Sequence, residues 1–303
     1  MTPHELVMRH LAERRPADAE ETYKSRVRVL DLFLGFLGRE GRGLSRDDVL
    51  AYMRHILTRV TPKGQPWSER TVEGALLGVR TLLKWAERRG LILESLSSWI
   101  KLARSAPLPR ALSEEDAARL IEEGPRPGPL CARDRAIIEL LYGTGLRASE
   151  ACRLDLVDVA LCESLLLVRC GKGRKDRVVP FGERVRTALL AYLREERAQA
   201  PGPFFLSKCG TRLTRKGLGE VLRRAKTRAG LTAPASAHCL RHSFATHLLR
   251  HGADVVSLKA LLGHAGLNAT QVYLDLDVLD LARMIEKSHP RERDAKISSE
   301  VAR

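Results

Sequence analysis

Between Lys101 and Arg110 the chain runs through Pro107 and Pro109 among basic side chains, and it follows different patterns on the two sides. A stretch of that composition suits a connection between two folded units. Before it, apolar residues recur at the helical period, and nothing alternates as a strand would. Over Glu20–Gly38 they fall at Val27, Leu30, Phe33, Leu34 and Leu37. Ser45 stands as an N-cap before a helix over Arg46–Thr58, with Asp48 three residues on. Ser68 caps another helix that runs to Arg89, with Leu76, Val79, Leu82, Leu83 and Ala86 on one side and Gly90 ending it. Residues 1–103 therefore read as a helical domain and 104–111 as the linker.

Beyond the linker, Ser113 opens a helix whose first turn carries Glu114, Glu115 and Asp116, a favourable charge at that end of the helix dipole. Arg133–Tyr142 reads as a buried helix. Leu165–Arg169 and Arg177–Val179 are short apolar or β-branched runs on either side of Gly171-Lys172-Gly173-Arg174-Lys175-Asp176. That pattern predicts a β-hairpin with a basic tip. Helices are expected over Val185–Arg197, Arg215–Ala229, His238–Arg250, Val255–Leu262, Ala269–Leu274 and Val278–Lys287. The fold class is mainly α, with a small antiparallel sheet inside a second domain over 112–290. The polar residues 291–303 read as a mobile tail.

Charge narrows the function. Lysine plus arginine number 52 against 37 acids, a net +15, and both halves share the excess. A charge of that size and spread favours an anionic partner, nucleic acid above all. Forty of the 52 cations are arginine, which suits bidentate phosphate contacts. A hydrophobic content of 44% is enough for real cores and excludes a disordered chain. No apolar run of 18 residues exists and Met1–Arg15 has no apolar core, so neither a membrane span nor a secretory signal is expected. Cys131, Cys152, Cys162, Cys170, Cys209 and Cys239 form no C-x-x-C pair, which fits reduced thiols in a cytoplasmic protein rather than a disulfide framework or a zinc knuckle.

Five of nine histidines fall between 238 and 264. His238 and His242 have the spacing of a zinc helix, but Cys239 stands where H-E-x-x-H needs its glutamate, so no metal is expected. His242, His247 and His251 read as ordinary helix residues. His238 and Arg241 are three apart and share a face. Leu240, Phe244, Leu248 and Leu249 can pin that helix to a core. An imidazole and a guanidinium on a pinned helix suit a phosphate. Gly143-Thr144-Gly145-Leu146-Arg147 is a glycine turn that delivers an arginine to a helix start, where anions are attracted. Leu261-Leu262-Gly263-His264 ends the next helix and leaves His264 in a turn. Taken alone, Tyr273 among Val272 and Leu274 reads as packing, and Lys172 as a solvated loop.

In combination these segments resemble the tyrosine recombinases of the λ-integrase type, and most closely their Xer branch. The resemblance is carried by Gly143 to Glu150 (GTGLRASE), Gly171 to Arg177 (GKGRKDR), His238 to His247 (HCLRHSFATH), Leu261-Leu262-Gly263-His264 and Thr270-Gln271-Val272-Tyr273. His289-Pro290-Arg291 adds to it. Order and spacing agree, including nine residues from His264 to Tyr273, and essentially the whole chain is covered.

The resemblance implies a two-domain clamp on duplex DNA, with a helical core-binding domain of SAM-like type and an α-rich catalytic domain. It implies cutting and rejoining of DNA without metal, nucleotide or other cofactor. Tyr273 would attack the scissile phosphate and form a 3′-phosphotyrosine. Arg147 and Arg241 would clamp the non-bridging oxygens, and His238 and His264 would add hydrogen bonds to the same charge. Lys172 would protonate the leaving 5′-oxygen, and His238 would be the better candidate base for the tyrosine. Arg174, Lys175 and Arg177 would touch DNA beside Lys172. The implied partners are inverted-repeat core sites on DNA and three further protomers, identical or related, with the last helix, Val278–Lys287, docked on a neighbour. Chromosome-dimer resolution by a nucleoid-associated protein leads; mobile-element integration, a non-catalytic DNA-binding relative and a type IB topoisomerase are the other readings. One departure stands out. Leu274-Asp275 follows Tyr273 where many Xer relatives have Thr-His, so an acid stands near the scissile phosphate.

Overall fold

The computed structural model describes residues 1–18, 20–38, 43–92, 94–101, 111–169, 176–197, 201–263 and 278–293. The chain divides into two compact units, Met1–Pro107 and Leu108–Arg303. It is mainly helical, with one three-stranded antiparallel sheet in the second unit. Among the described residues no helix is long and apolar enough to cross a membrane.

Among the described residues the first unit packs four α-helices, α1 (Pro3–Arg14), α2 (Glu20–Leu37), α3 (Arg46–Leu57) and α4 (Glu69–Arg88), with a short 3-10 turn at Leu96–Trp99. Each start that the sequence marks is a real cap. Ser45 accepts from the Asp48 N–H while the Asp48 carboxylate takes the Ser45 N–H at 3.0 Å, and Ser68 accepts from the Thr71 N–H. These bonds satisfy donors that a helix start leaves unpaired. The expected stripe on α4 is buried throughout, and it meets Leu30 and Phe33 of α2 and Tyr52 and Ile56 of α3 in one core. The helix α1 has no marked apolar period in the sequence; a Thr2–Glu5 capping box starts it, and Leu6, Val7 and Leu11 hold it to that core.

In the second unit, α5 (Glu114–Glu122) starts at the expected Ser113 cap. The buried helix is longer than its sequence signal: α6 covers Cys131–Thr144. The short helix α7 (Ala148–Arg153) follows. The sheet has strands β1 (Val159–Ala160), β2 (Leu165–Val168) and β3 (Arg177–Pro180), with Leu166 opposite Val179 and Val168 opposite Arg177. Only the hairpin β2–β3 is legible in the sequence, because β1 has two residues. Then come α8 (Glu183–Glu195), α9 (Arg215–Arg228), α10 (Ala237–Arg250), α11 (Val255–Leu262) and α12 (Val278–Ser288). The expected helix over 269–274 lies outside the described residues.

Helix α12 packs on β3 and α10 of its own unit and buries Leu281 and Ile285. Packed structure continues past Pro290, where the sequence reading begins a mobile tail. Glu292 is buried, and its carboxylate accepts the N–H groups of Glu183 (2.9 Å) and Arg184 (3.1 Å) at the start of α8. Arg291 donates to Glu139 and Glu122. The physical reason is charge: Glu139 is only 3% exposed, and a carboxylate that buried requires a cation.

Candidate active site

The site is built where α6 ends. Gly145 closes that helix in the left-handed conformation, φ +62°, with its N–H on the Leu141 carbonyl. Glycine is required there twice over. A side chain would be strained at that φ, and a Cβ would stand 2.5 Å from the Phe244 ring and 2.9 Å from Leu262. Leu146 then plugs into the core, and Arg147 emerges at the N-cap of α7 with extended backbone. About a third of the Arg147 side chain is exposed.

Arg241 arrives from α10. Leu240, Phe244 and Leu248 bury that helix as expected, whereas Leu249 is 42% exposed and anchors nothing. Ser236 caps α10 by accepting the Cys239 N–H, so Arg241 falls one turn into the helix. Its guanidinium is buried and makes two short bonds. Nη1 donates to the Gly145 carbonyl at 2.7 Å and Nη2 to the Leu262 carbonyl at 2.6 Å. These bonds join three elements: the turn that delivers Arg147, the helix that carries Arg241 and the last turn of α11. Burial and then the neighbouring Arg147 charge push the Arg241 pKa down to about 10, so it remains a cation at neutral pH. His238, three residues before Arg241, is exposed in the first turn of α10.

One carboxylate orders the cations. Glu150 accepts the Arg147 N–H and the Arg147 Nη1, each at 2.9 Å. From β3, Arg177 donates Nη1 (3.1 Å) and Nη2 (2.9 Å) to the two oxygens of the same group. Burial alone would raise the Glu150 pKa, but the Arg177 and Arg147 bonds overcome it and hold the carboxyl down to about 2. Three guanidiniums around one carboxylate leave a positive excess facing a partly open surface, which is a site for an anion.

The structure thus brings Arg147 and Arg241 together and sets His238 on the same helix as Arg241. Lys172, His264 and Tyr273 lie outside the described residues, as do Leu274 and Asp275, and so do Arg174 and Lys175. What can be placed is the chain beside them. β2 and β3 flank the connection that holds Lys172, and α11 ends at Gly263, φ +60°, one residue before His264. Arg177, expected to touch DNA, has a side chain only 13% exposed that bonds to Glu150 and the Leu261 carbonyl. Glu150 itself has no role in the sequence reading. An acid three residues after a helix-start arginine is the signal that would have found it, since that spacing lets a side chain reach back to the N-cap N–H. The other histidines behave as helix residues of different kinds. His247 is a core strut between the Tyr142 hydroxyl (2.8 Å) and the Leu112 carbonyl (2.9 Å), whereas His251 meets Glu114 at the surface. Among the described residues no group of three or more His, Cys, Asp or Glu could hold a metal ion.

The phage integrase family pattern matches residues 110–279, which include all of these elements. The chain belongs to that family. Its relatives place it near the Xer branch of the tyrosine recombinases. It is 37% identical to the tyrosine recombinase XerC of Oceanobacillus iheyensis over 88% of this chain and 89% of that one. It is 41% identical to XerD of Mycobacterium tuberculosis over 72% of this chain and 74% of that one. Among solved structures, the Tn1549 transposon integrase in complex with circular intermediate DNA has the same fold, with a TM-score of 0.68 at 19% identity over 93% of this chain and 98% of that one. This recombinase is therefore an enzyme of site-specific DNA cutting and rejoining, Xer-like in sequence, and the cationic pair Arg147–Arg241 sits inside the family-matched segment.

Proposed function

We propose that this recombinase cuts one DNA strand with Tyr273 and keeps the bond energy in a 3′-phosphotyrosine until a new 5′-hydroxyl takes its place. The observation that carries this reading is the joining of Arg241 to the Gly145 carbonyl, which fixes a buried guanidinium to the turn that presents the part-exposed Arg147. A phosphate that turns pentavalent gains negative charge on its non-bridging oxygens. Two fixed cations favour that state over the ground state, because their positions are held before the reaction starts. His238 and His264 add hydrogen bonds to the same oxygens, with His238 also the base for the Tyr273 hydroxyl. Lys172 gives its proton to the departing 5′-oxygen.

The first domain, 1–103, and the catalytic domain, 112–290, both bind DNA, with 104–111 as the connection between them. The target is a duplex core site with inverted repeats, bound by four protomers, identical or paired with a related recombinase. The cellular task is resolution of chromosome dimers at the nucleoid in the cytoplasm. Most of the affinity comes from phosphate contacts and falls steeply with salt.

The test is single-turnover cleavage of a nicked core site by Arg147→Ala, Arg241→Ala and Lys172→Ala. Removing one pre-placed donor from a transition state costs about 100- to 1,000-fold in rate. Each variant is expected to lose that much while still binding DNA. Cleavage at the wild-type rate by any of them would remove that residue from the mechanism.

A further inference from the structure

We propose that Arg177 is a positioning residue for strand cleavage, and that it acts through Arg147 and through the end of α11 rather than by touching DNA. The inference rests on the phosphate-binding role given to Arg147 above. One planar guanidinium reaches three places. Nη1 and Nη2 take the two oxygens of Glu150, and Nε donates to the Leu261 carbonyl at 3.2 Å. Glu150 in turn fixes Arg147 by its backbone N–H and its Nη1. The Arg241 bond to the next carbonyl, Leu262, secures the same turn of α11 from the other side. Gly263 completes the contact: a Cβ there would come within 3.1 Å of the Arg177 Nη1, so the guanidinium lies flat against the residue that leads into His264.

The chain's order gives this contact its meaning. Arg177 opens β3, the strand that leaves the Lys172 connection. Strand, helix start and helix end are distant in sequence, and Glu150 is 27 residues and Leu261 84 residues from Arg177. Arginine alone suits the position. Lysine is a single point charge and cannot span two carboxylate oxygens and a carbonyl together. A DNA contact does not account for the geometry, because the side chain is turned inward, with 13% exposed.

The experiment uses the full chain with Arg177→Lys and Arg177→Met, each also placed in an Arg147→Ala background. Binding is read by titration of a labelled core site across a salt series, and chemistry by single-turnover cleavage at saturating DNA. Misplacement of a catalytic group by about 1 Å costs about 100-fold in rate. Arg177→Lys is therefore expected to cleave about 10- to 100-fold more slowly, with lysine failing to rescue, while Kd and its salt slope stay near wild type. In the Arg147→Ala background the same change is expected to cost less, since one of the two parts it aims is gone and only the end of α11 remains. A salt slope lower by about one with unaltered cleavage would show a phosphate contact and overturn the proposal. Equal rate losses in both backgrounds would overturn it too. Unaltered cleavage by Arg147→Ala alone would instead remove the underlying reading, and the proposal with it. If Arg177→Met fails to fold, the double variant Glu150→Gln/Arg177→Met removes both buried charges. It is expected to fold and to cleave slowly, and wild-type cleavage by it would overturn the proposal.

Discussion

The Arg241 guanidinium donates to the backbone carbonyl of Gly145 at 2.7 Å, so the helix that carries one cation is fixed to the turn that delivers the other. The spacing between Arg147 and Arg241 is thereby set by backbone. It does not depend on a bound anion to draw the two like charges together.

Gly145→Ala tests that turn directly. A left-handed residue with a Cβ costs about 1–2 kcal/mol, and overpacking against the Phe244 ring and Leu262 adds about 1–3 kcal/mol. Thermal unfolding of the second unit should move down accordingly. An unchanged midpoint would mean that the turn is not as tight as described.

Glu150→Gln tests the charge arrangement by pH. The Glu150 carboxyl is held at about 2 in the folded chain against 4.5 for an ordinary glutamate. A depressed folded value means stabilisation that is fully present above 4.5 and is lost as pH falls towards 2. That contribution is about 3 kcal/mol for a shift of this size. The stability difference between wild type and Glu150→Gln should therefore be flat near neutrality and shrink below pH 4.5. Denaturant titrations at several pH values would reveal it, and a difference that grows on acidification would reverse the assignment.

Arg291→Ala tests the end of the chain. Burial already raises the Glu139 pKa, and Arg291 opposes that rise. Without the arginine, a carboxylate at 3% exposure is left without its main partner, which costs about 3–5 kcal/mol. Adding Glu139→Gln should recover much of the loss. Two losses that simply add would show that the pair does not interact.

How far the sequence foretells this structure depends on whether a feature is local. The Ser45, Ser68 and Ser113 caps are legible because a cap bonds within three residues. Arg147 and Arg241 are legible as cations at helix positions, and the Gly145 turn is readable from its residues. Strand β1 is not, since two residues carry no period and its pairing partner lies across a turn. The inward turn of Arg177 is hidden for the same reason: its acid stands 27 residues back, and in sequence it is one more charge in a basic hairpin. The polar composition of residues 291–303 suggests a loose tail. Only the fold places the buried Glu139 and the open start of α8 within reach of Arg291 and Glu292. Leu249 fails as an anchor because it follows the buried Leu248 by one residue and so falls on another side of α10, off the Leu240, Phe244 and Leu248 stripe.

The central claim is that Tyr273 makes a covalent bond to DNA. It is tested most directly by mixing the purified protein with labelled, nicked DNA from its replication-terminus region and its genomic neighbourhood, without added metal. Denaturing gels are then run beside Tyr273→Phe. The account predicts a heat-stable, protease-sensitive adduct in wild type alone, trapped on terminus-region DNA. An equal adduct with Tyr273→Phe, or DNA bound with none in wild type, would contradict it.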